Sequence, residues 1–323
     1  MAASRRVLAL CGGVGGAKLA LGLSHILPGQ ELSIVVNTGD DFDHLGLRIC
    51  PDLDTVTYTL GGIVNPETGW GRAGESGNFM GSLSALGGED WFYLGDKDLA
   101  LHVERTRRLS EGENLDEIIS TIATRLGIAP QILPMSNDSV ATMVETSSGT
   151  LAFQHYFVRD RCEPEVSGFR FAGIESAEAH PELLAALRSD DLGLVIICPS
   201  NPFVSVDPIL ALPEVRQGLQ ETAAVVLAVS PIVDGTAVKG PTAKMMRELN
   251  LPVTSTTVVQ HYADFLDGFI LDCRDETDMS EIEAIVEHVK VADTLMIKLD
   301  DKIALAREVL AFGNTCQQNN SRA

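Results

Sequence analysis

Val7-Leu8-Ala9-Leu10-Cys11-Gly12-Gly13-Val14-Gly15-Gly16-Ala17-Lys18 runs from a short apolar segment into four glycines and a lysine. The apolar run does not alternate with polar residues, as expected of a strand covered on both faces. After the glycines, Ala20, Leu23 and Leu27 recur at helical spacing until Pro28-Gly29 ends the pattern. Leu32-Ser33-Ile34-Val35-Val36 then reads as a second buried strand that gives way to Asn37-Thr38-Gly39. Strand, glycine-rich turn, helix and strand open a Rossmann-like, doubly wound α/β fold with a mostly parallel sheet.

The rest of the chain extends this pattern. Leu194-Val195-Ile196-Ile197-Cys198 and Ala224 to Val229 are two more buried runs, followed by Pro199-Ser200-Asn201-Pro202 and Ser230-Pro231. An amphipathic helix is expected from Leu115 to Leu126, with Asn114 as N-cap, Glu117 completing a capping box and Gly127 closing it. Two C-terminal helices are signalled by Ser280 with Glu283 and by Asp301 ahead of Ile303, Ala306 and Leu310. Between Ser136 and Arg188 the texture changes, and Thr142 to Thr146 and Leu151 to Phe157 flank Ser147-Ser148-Gly149 in a hairpin pattern. The expected organisation is a discontinuous core from residues 1–135 and 189–312 that binds a nucleotide or diphosphate. A small α+β insertion at 136–188 and a disordered tail at 313–323 complete it.

Composition narrows the function classes. The chain has 323 residues, 45% hydrophobic and 21% charged, and its 24 basic and 45 acidic residues give a net charge of −21. That charge disfavours nucleic acid as a partner, and an anionic ligand must be held by backbone N–H groups, a few basic side chains or a metal ion. No run of apolar residues is long enough to span a membrane. Arg5-Arg6 reads as two solvated residues ahead of a strand rather than as an export signal. The six cysteines form no C-x-x-C pair, so neither a disulfide framework nor a zinc site is expected, which fits a reducing cytoplasm.

Four stretches could carry chemistry. Glycines at a helix start let backbone N–H groups approach phosphate oxygens closely. The loop lacks the third glycine of a dinucleotide fingerprint and the Ser or Thr that follows the lysine of a Walker loop. The plain alternative is a tight β–α turn. The second stretch is an acidic block, Asp40, Asp41, Asp43, Asp52 and Asp54, that follows the second strand. In a doubly wound sheet it lies beside the first β–α loop, and carboxylates there would repel a phosphate unless a divalent cation bridged them. Otherwise it is a solvated loop. The third is Gly95-Asp96-Lys97-Asp98, with His102, Arg105, Arg107 and Arg108 close by. The fourth is Ser200-Asn201, at the ligand edge of the sheet or simply in a turn. Lys239 and Lys244 could add anion contacts, or Pro241 could merely start a helix.

Taken in order, Gly12 to Lys18, Asn37-Thr38-Gly39-Asp40-Asp41, Ile49-Cys50-Pro51-Asp52-Leu53-Asp54-Thr55-Val56, Gly95 to Asp98, Leu133-Pro134-Met135-Ser136, Pro199 to Pro202 and Ala292 to Met296 resemble the 2-phospho-L-lactate transferase family, including its bacterial phosphoenolpyruvate transferase branch. The likeness is collinear from Val7 to Phe312, and the Pro51-to-Thr55 block is its most specific part.

The resemblance implies a step in making coenzyme F420. A phosphorylated acid unit (2-phospholactyl, phosphoenolpyruvyl or 3-phosphoglyceryl) moves from its GMP-linked diphosphate to the terminal ribityl hydroxyl of the deazaflavin Fo, and GMP leaves. It also implies Mg²⁺, a Rossmann-like core with a smaller subdomain, and a homodimer. In that scheme Gly12, Gly13, Gly15, Gly16 and Lys18 hold the diphosphate, and Ser200 and Asn201 belong to the donor site. Asp40, Asp41 and Asp54 are the candidate metal ligands. Asp54, Asp41 and Lys18 would serve the chemistry, and Asp52, Asp54 and Lys97 would contact the deazaflavin. Lys97 stands where the family often has Arg, and it lacks the planar fork for a bidentate contact. The alternative is a non-catalytic, nucleotide-sugar-binding regulator of the same superfamily, in which the glycine loop is shared but the Pro-Asp-Leu-Asp-Thr block is not.

Overall fold

The computed structural model describes residues 6–320. Seven strands form one parallel sheet: β1 (Arg6–Cys11), β2 (Leu32–Val36), β3 (Gln131–Pro134), β4 (Leu192–Ile197), β5 (Val225–Val229), β6 (Gly268–Asp272) and β7 (His288–Ala292). Their spatial order is β3-β2-β1-β4-β5-β6-β7, so the direction of winding reverses between β1 and β4. Ligands of open α/β sheets bind at such a reversal, beyond the carboxyl ends of the strands.

Alternate side chains of each strand enter two separate cores, as the pleat requires. Val7, Ala9 and Cys11 point to the face covered by α1 (Gly13–Ser24), α2 (Pro51–Leu60) and the C-terminal helix Leu299–Asn320. Leu8 and Leu10 point to the other face, which packs against the region that follows β3. There, Ala141–Thr146, Gly149–Ala152 and Val166–Ala172 make a three-stranded antiparallel sheet, with Thr146 opposite Gly149 across the hairpin. Its second strand is shorter than the apolar pattern of 151–157 suggests. After Ala152 the backbone winds into a wide helical turn, closed by Asp160 N–H donating to His155 O at 2.8 Å.

Between β2 and β3 the chain leaves the sheet for residues 37–130. This excursion carries α2, α3 (Asp96–Ser110) and α4 (Leu115–Arg125). The capping box of α4 forms as read, with Asn114 and Glu117 each serving the other's backbone. Two expectations are corrected. Residues 313–320 are not a loose tail but continue the C-terminal helix, whose Val309 and Cys316 are buried against the sheet. Ser280 does not cap a helix; it lies inside the short helix Met279–Ile282. Arg6 opens β1, whereas Arg5 lies outside the described residues. No helix among the described residues is long and apolar enough to cross a membrane.

Candidate active site

The turn after β1 and the turn after β4 meet at the reversal of the sheet. Gly13 adopts a left-handed φ of 62°, and α1 starts there. A Cβ on Gly15 would sit 2.1 Å from the carbonyl oxygen of Pro199, so only glycine allows this approach of backbone to backbone. Ser200 Oγ accepts from Gly12 N–H at 3.2 Å and donates to Gly12 O at 2.9 Å, which ties the two turns together. Gly16 is buried beneath them, against Cys11 and Ser200. Asn201 Oδ1 accepts from the N–H groups of Phe203 and Val204 and caps the next turn.

A cavity of about 610 Å³ opens over this junction. One wall is made of Gly12, Gly13, Gly15, Lys18, Ser200, Asn201 and Lys239. Burial, with Lys239 and Lys302 nearby, lowers the pKa of Lys18. Its ammonium makes no hydrogen bond or ion pair among the described residues, so this wall holds a cation without a counter-ion.

A second wall carries Asp40, Asp52 and Asp54. Asp52 and Asp54 are not in a solvated loop, as the acidic block alone suggested. Pro51 occupies the first position of α2, and both carboxylates lie in its first turn, where acidic groups suit the helix dipole. Asp52 accepts from Gly13 N–H at 2.7 Å and from Asn37 Nδ2 at 3.0 Å. Burial still pushes its carboxyl up to about 6. Asp40 accepts from Asn37 and from Gln154 of the antiparallel region. Burial, with Asp52 and Asp41 beside it, pushes Asp40 well above the usual carboxylate range.

Asp54 is held differently. Arg105 of α3 donates to both of its oxygens, at 2.6 and 2.9 Å. Asp98, His102 and Arg105 follow one another at helical spacing and share one face of α3. His102 Nδ1 lies 3.6 Å from Asp54, and its Nε2 lies 3.4 Å from Asp98. Tyr58, one turn beyond Asp54 on α2, donates to Asp98. The basic cluster Arg105, Arg107, Arg108 is thereby split: Arg105 is fully buried, whereas Arg107 pairs with Glu104 and Glu111 on the surface and Arg108 pairs with Glu113.

The third wall is aromatic. Trp70, Trp91, Phe92, Phe153 and Phe157 line it, with the rings of Phe153 and Phe157 stacked at 5.4 Å. No sequence pattern flags these residues, because they come from three separated stretches, at 70, 91–92 and 153–157, and have no common spacing. Two sequence candidates stand apart from the cavity. Lys97 is exposed and its ammonium donates to Ala73 O at 3.2 Å. Asp41 is buried behind the wall, and burial pushes its carboxyl up to about 7 despite the Cys50 thiol beside it and the positive charges of Arg48 and Arg105.

The donor set suits a hard divalent cation in part. Among the described residues no three His, Cys, Asp or Glu side chains form a ready-made metal site. Mg²⁺ commonly uses one or two carboxylates and completes its shell with water and substrate phosphates. Asp40, Asp52 and Asp54 face the cavity, and the mutual repulsion that raises Asp40 is what a bound cation would relieve.

The chain is similar to known proteins over nearly its whole length. The family model described as 2-phospho-L-lactate transferase CofD matches residues 7–306. A phosphoenolpyruvate transferase of Streptomyces griseus is 38% identical over 311 residues, covering 94% of this chain and 97% of that protein. A 2-phospho-L-lactate transferase of Methanosarcina mazei is 37% identical over 299 residues, covering 93% and 97%. Among solved structures, a upf0052 family member from Bacillus halodurans superposes with a TM-score of 0.62 over 95% of this chain and 98% of its own, at 15% identity, a likeness of fold alone.

Proposed function

The chain belongs to the 2-phospho-L-lactate transferase family, and from that premise we propose that it transfers a phosphorylated acid unit from a GMP-linked diphosphate to the ribityl hydroxyl of Fo in coenzyme F420 biosynthesis. The observation that carries this reading is that one cavity is lined together by Lys18, whose ammonium is unpaired among the described residues, by the carboxylates of Asp40, Asp52 and Asp54, and by aromatic rings. The diphosphate belongs against the glycine turn and Lys18, and the flat deazaflavin against the rings of Trp91, Phe153 and Phe157. The reacting phosphorus then lies between them, beside Asp40, Asp52 and Asp54.

The hydroxyl oxygen of Fo forms a new bond to the acid-bearing phosphorus. The bond from that phosphorus to GMP breaks with its electron pair on GMP, and the hydroxyl proton passes to a carboxylate facing the cavity. Such transfers are catalysed mainly by positioning and charge neutralisation. Lys18 and the backbone N–H groups that follow Gly13 in the first turn of α1 supply the neutralisation on the donor side, since Gly12 N–H donates to Ser200 and Gly13 N–H to Asp52. Mg²⁺, when bound, adds neutralisation of the diphosphate oxygens, and Asp40, Asp52 and Asp54 are the side chains that would hold it. An ionised carboxylate has several lone pairs, so the two bonds from Arg105 leave Asp54 able to serve. Asp41 and Lys97, as placed here, would act on the site from behind its wall and from its outer rim.

The experiment combines the protein, Fo and each of the lactyl, enolpyruvyl and glyceryl donors with Mg²⁺, and weighs the products by mass spectrometry. A phosphodiester of Fo with one of the acids, absent after EDTA treatment, is the expected result. No adduct from any donor overturns the reading, and Fo binding without turnover would favour a binding protein instead.

A further inference from the structure

Arg105 is the largest fully buried side chain among the described residues, at 0% exposure. Its Nη1 donates to Asp54 Oδ1 at 2.6 Å and its Nη2 to Asp54 Oδ2 at 2.9 Å. The rest of the guanidinium is tied down by the carbonyl of Arg48, which accepts at 3.1 and 3.0 Å. Nη2 also lies 2.8 Å from His102 Nδ1. Arginine can only donate, so Nδ1 accepts, and the hydrogen of the neutral ring sits on Nε2, facing Asp98. One guanidinium therefore fixes the orientation of Asp54 and the tautomer of His102, two side chains of the cavity wall, without lining the cavity itself.

Stability does not account for this arrangement. A buried ion pair contributes little net stability compared with well-packed apolar side chains of similar volume. Fixing a reactive group does account for it, because the planar fork matches a carboxylate at two points and leaves it no rotational freedom. We infer that Arg105 is a positioning residue of the transfer reaction: it locks the Asp54 carboxylate, charged and immobile, on the face where the cavity meets the reacting phosphorus. The inference rests on the functional reading above, and it assigns to a residue remote from the substrates a share of the catalytic geometry.

The test is a cycle of three variants, R105K, D54N and D54N/R105K, compared with wild type in turnover of Fo, in Fo binding by fluorescence and in thermal melting. R105K keeps the charge and loses the fork. It is expected to lose at least about tenfold in kcat while its KM for the donor changes less than about threefold, a split that a purely structural pair would not produce. Because Arg105 acts through Asp54, D54N/R105K should turn over no more slowly than D54N. Wild-type kcat in R105K, or losses that multiply in the double variant, overturns the inference. If R105K does not fold, R105Q takes its place in the cycle. Should neither fold while D54N does, Arg105 is structural and the inference fails. A wild type that neither binds Fo nor transfers to it overturns the functional reading first, and the inference with it.

Discussion

Replacing Gly15 with alanine tests the site where its geometry is least forgiving. The new Cβ would lie 2.1 Å from Pro199 O, where ordinary contact begins near 3.4 Å, and the obstacle is backbone rather than a flexible side chain. The turn after β1 and the turn after β4 must then separate by about 1.3 Å. Forced overpacking of this kind costs about 1–3 kcal/mol, which for a chain of this size lowers Tm by roughly 1–5 °C. The functional loss should be larger than the stability loss suggests. Both turns form the donor wall, and a displacement on the order of 1 Å in a positioned substrate costs about 10²-fold in rate. Gly81 is the control. It lies within the helix Asn78–Ala85, and a Cβ there meets nothing within 4 Å. Gly81→Ala should leave turnover unchanged and stabilise by up to about 1 kcal/mol through helix propensity. Melting curves, calorimetric titration with the donor and steady-state turnover measure all three quantities. A Gly15→Ala protein with wild-type Tm and wild-type donor affinity refutes the argument.

Lys18→Ala should weaken binding of the GMP-linked donor about tenfold or more while changing Fo affinity little, since its ammonium has no partner in the protein; equal losses in two binding titrations would make Lys18 a structural residue. Asp54→Asn should lower kcat on the order of 10²-fold, partly recovered by excess Mg²⁺, and should lower Tm, because removing one member of a buried pair costs about 3–5 kcal/mol. Normal kcat in that variant would take Asp54 out of the active site. Burial raises the Asp41 carboxyl to about 7 from 3.8, so the folded chain holds a proton that the unfolded chain releases above about pH 4. The stability from this group is full below about pH 4 and lost as pH rises through about 7. Asp41→Asn, which cannot ionise, should already melt slightly above wild type at pH 5, and its advantage should widen by several degrees at pH 8; an advantage that does not change between the two pH values counts against a buried carboxylate with a raised pKa.

Four of the seven sheet strands, β1, β2, β4 and β5, were legible because they are apolar runs covered on both faces that lead into turns. The strands β3, β6 and β7 went unread, β3 because it is only four residues long and β7 because His288 and Lys290 interrupt its half-buried run at the sheet edge. The glycine turn was legible because a backbone approach as close as that of Gly15 to Pro199 admits no side chain. Asp52 and Asp54 were recognised as site candidates but placed in a loop, since carboxylates crowd loops as readily as helix starts. Pro51 is the signal for the helix, because proline suits the first helical position. Arg105 was read with its basic neighbours as one cluster. The clue that separates it is its spacing from Asp98 and His102, three polar groups on one face of a helix, which a solvated face also produces. The aromatic wall left no trace, because Trp91, Phe153 and Phe157 meet only through tertiary packing. The C-terminal helix was missed past Phe312 because its polar residues hide the buried Val309 and Cys316 beneath them.

A net charge of −21 is an obstacle to the proposed diphosphate donor, and the side chain placed to offset it is Lys18, which lines the cavity without an ion-pair partner among the described residues. Lys18 and the glycine turn occupy one side of the reversal between β1 and β4. The carboxylates sit on α2 and after β2; Asp52 is bound to the glycine turn itself through Gly13 N–H, and Arg105 offsets Asp54 from behind. In the proposed reaction the diphosphate oxygens would face Lys18 and the acid-bearing phosphorus the carboxylates. An acceptor stacked on the aromatic rings would then have to reach that phosphorus in line with the departing GMP, as the proposed displacement requires. The fold supplies this arrangement by drawing each wall from a different segment: the glycine turn from the sheet, the acids and Arg105 from the excursion after β2, and Phe153, Gln154 and Phe157 from the antiparallel region. No one segment could bind both substrates, which ties transfer to the assembled fold rather than to any single motif.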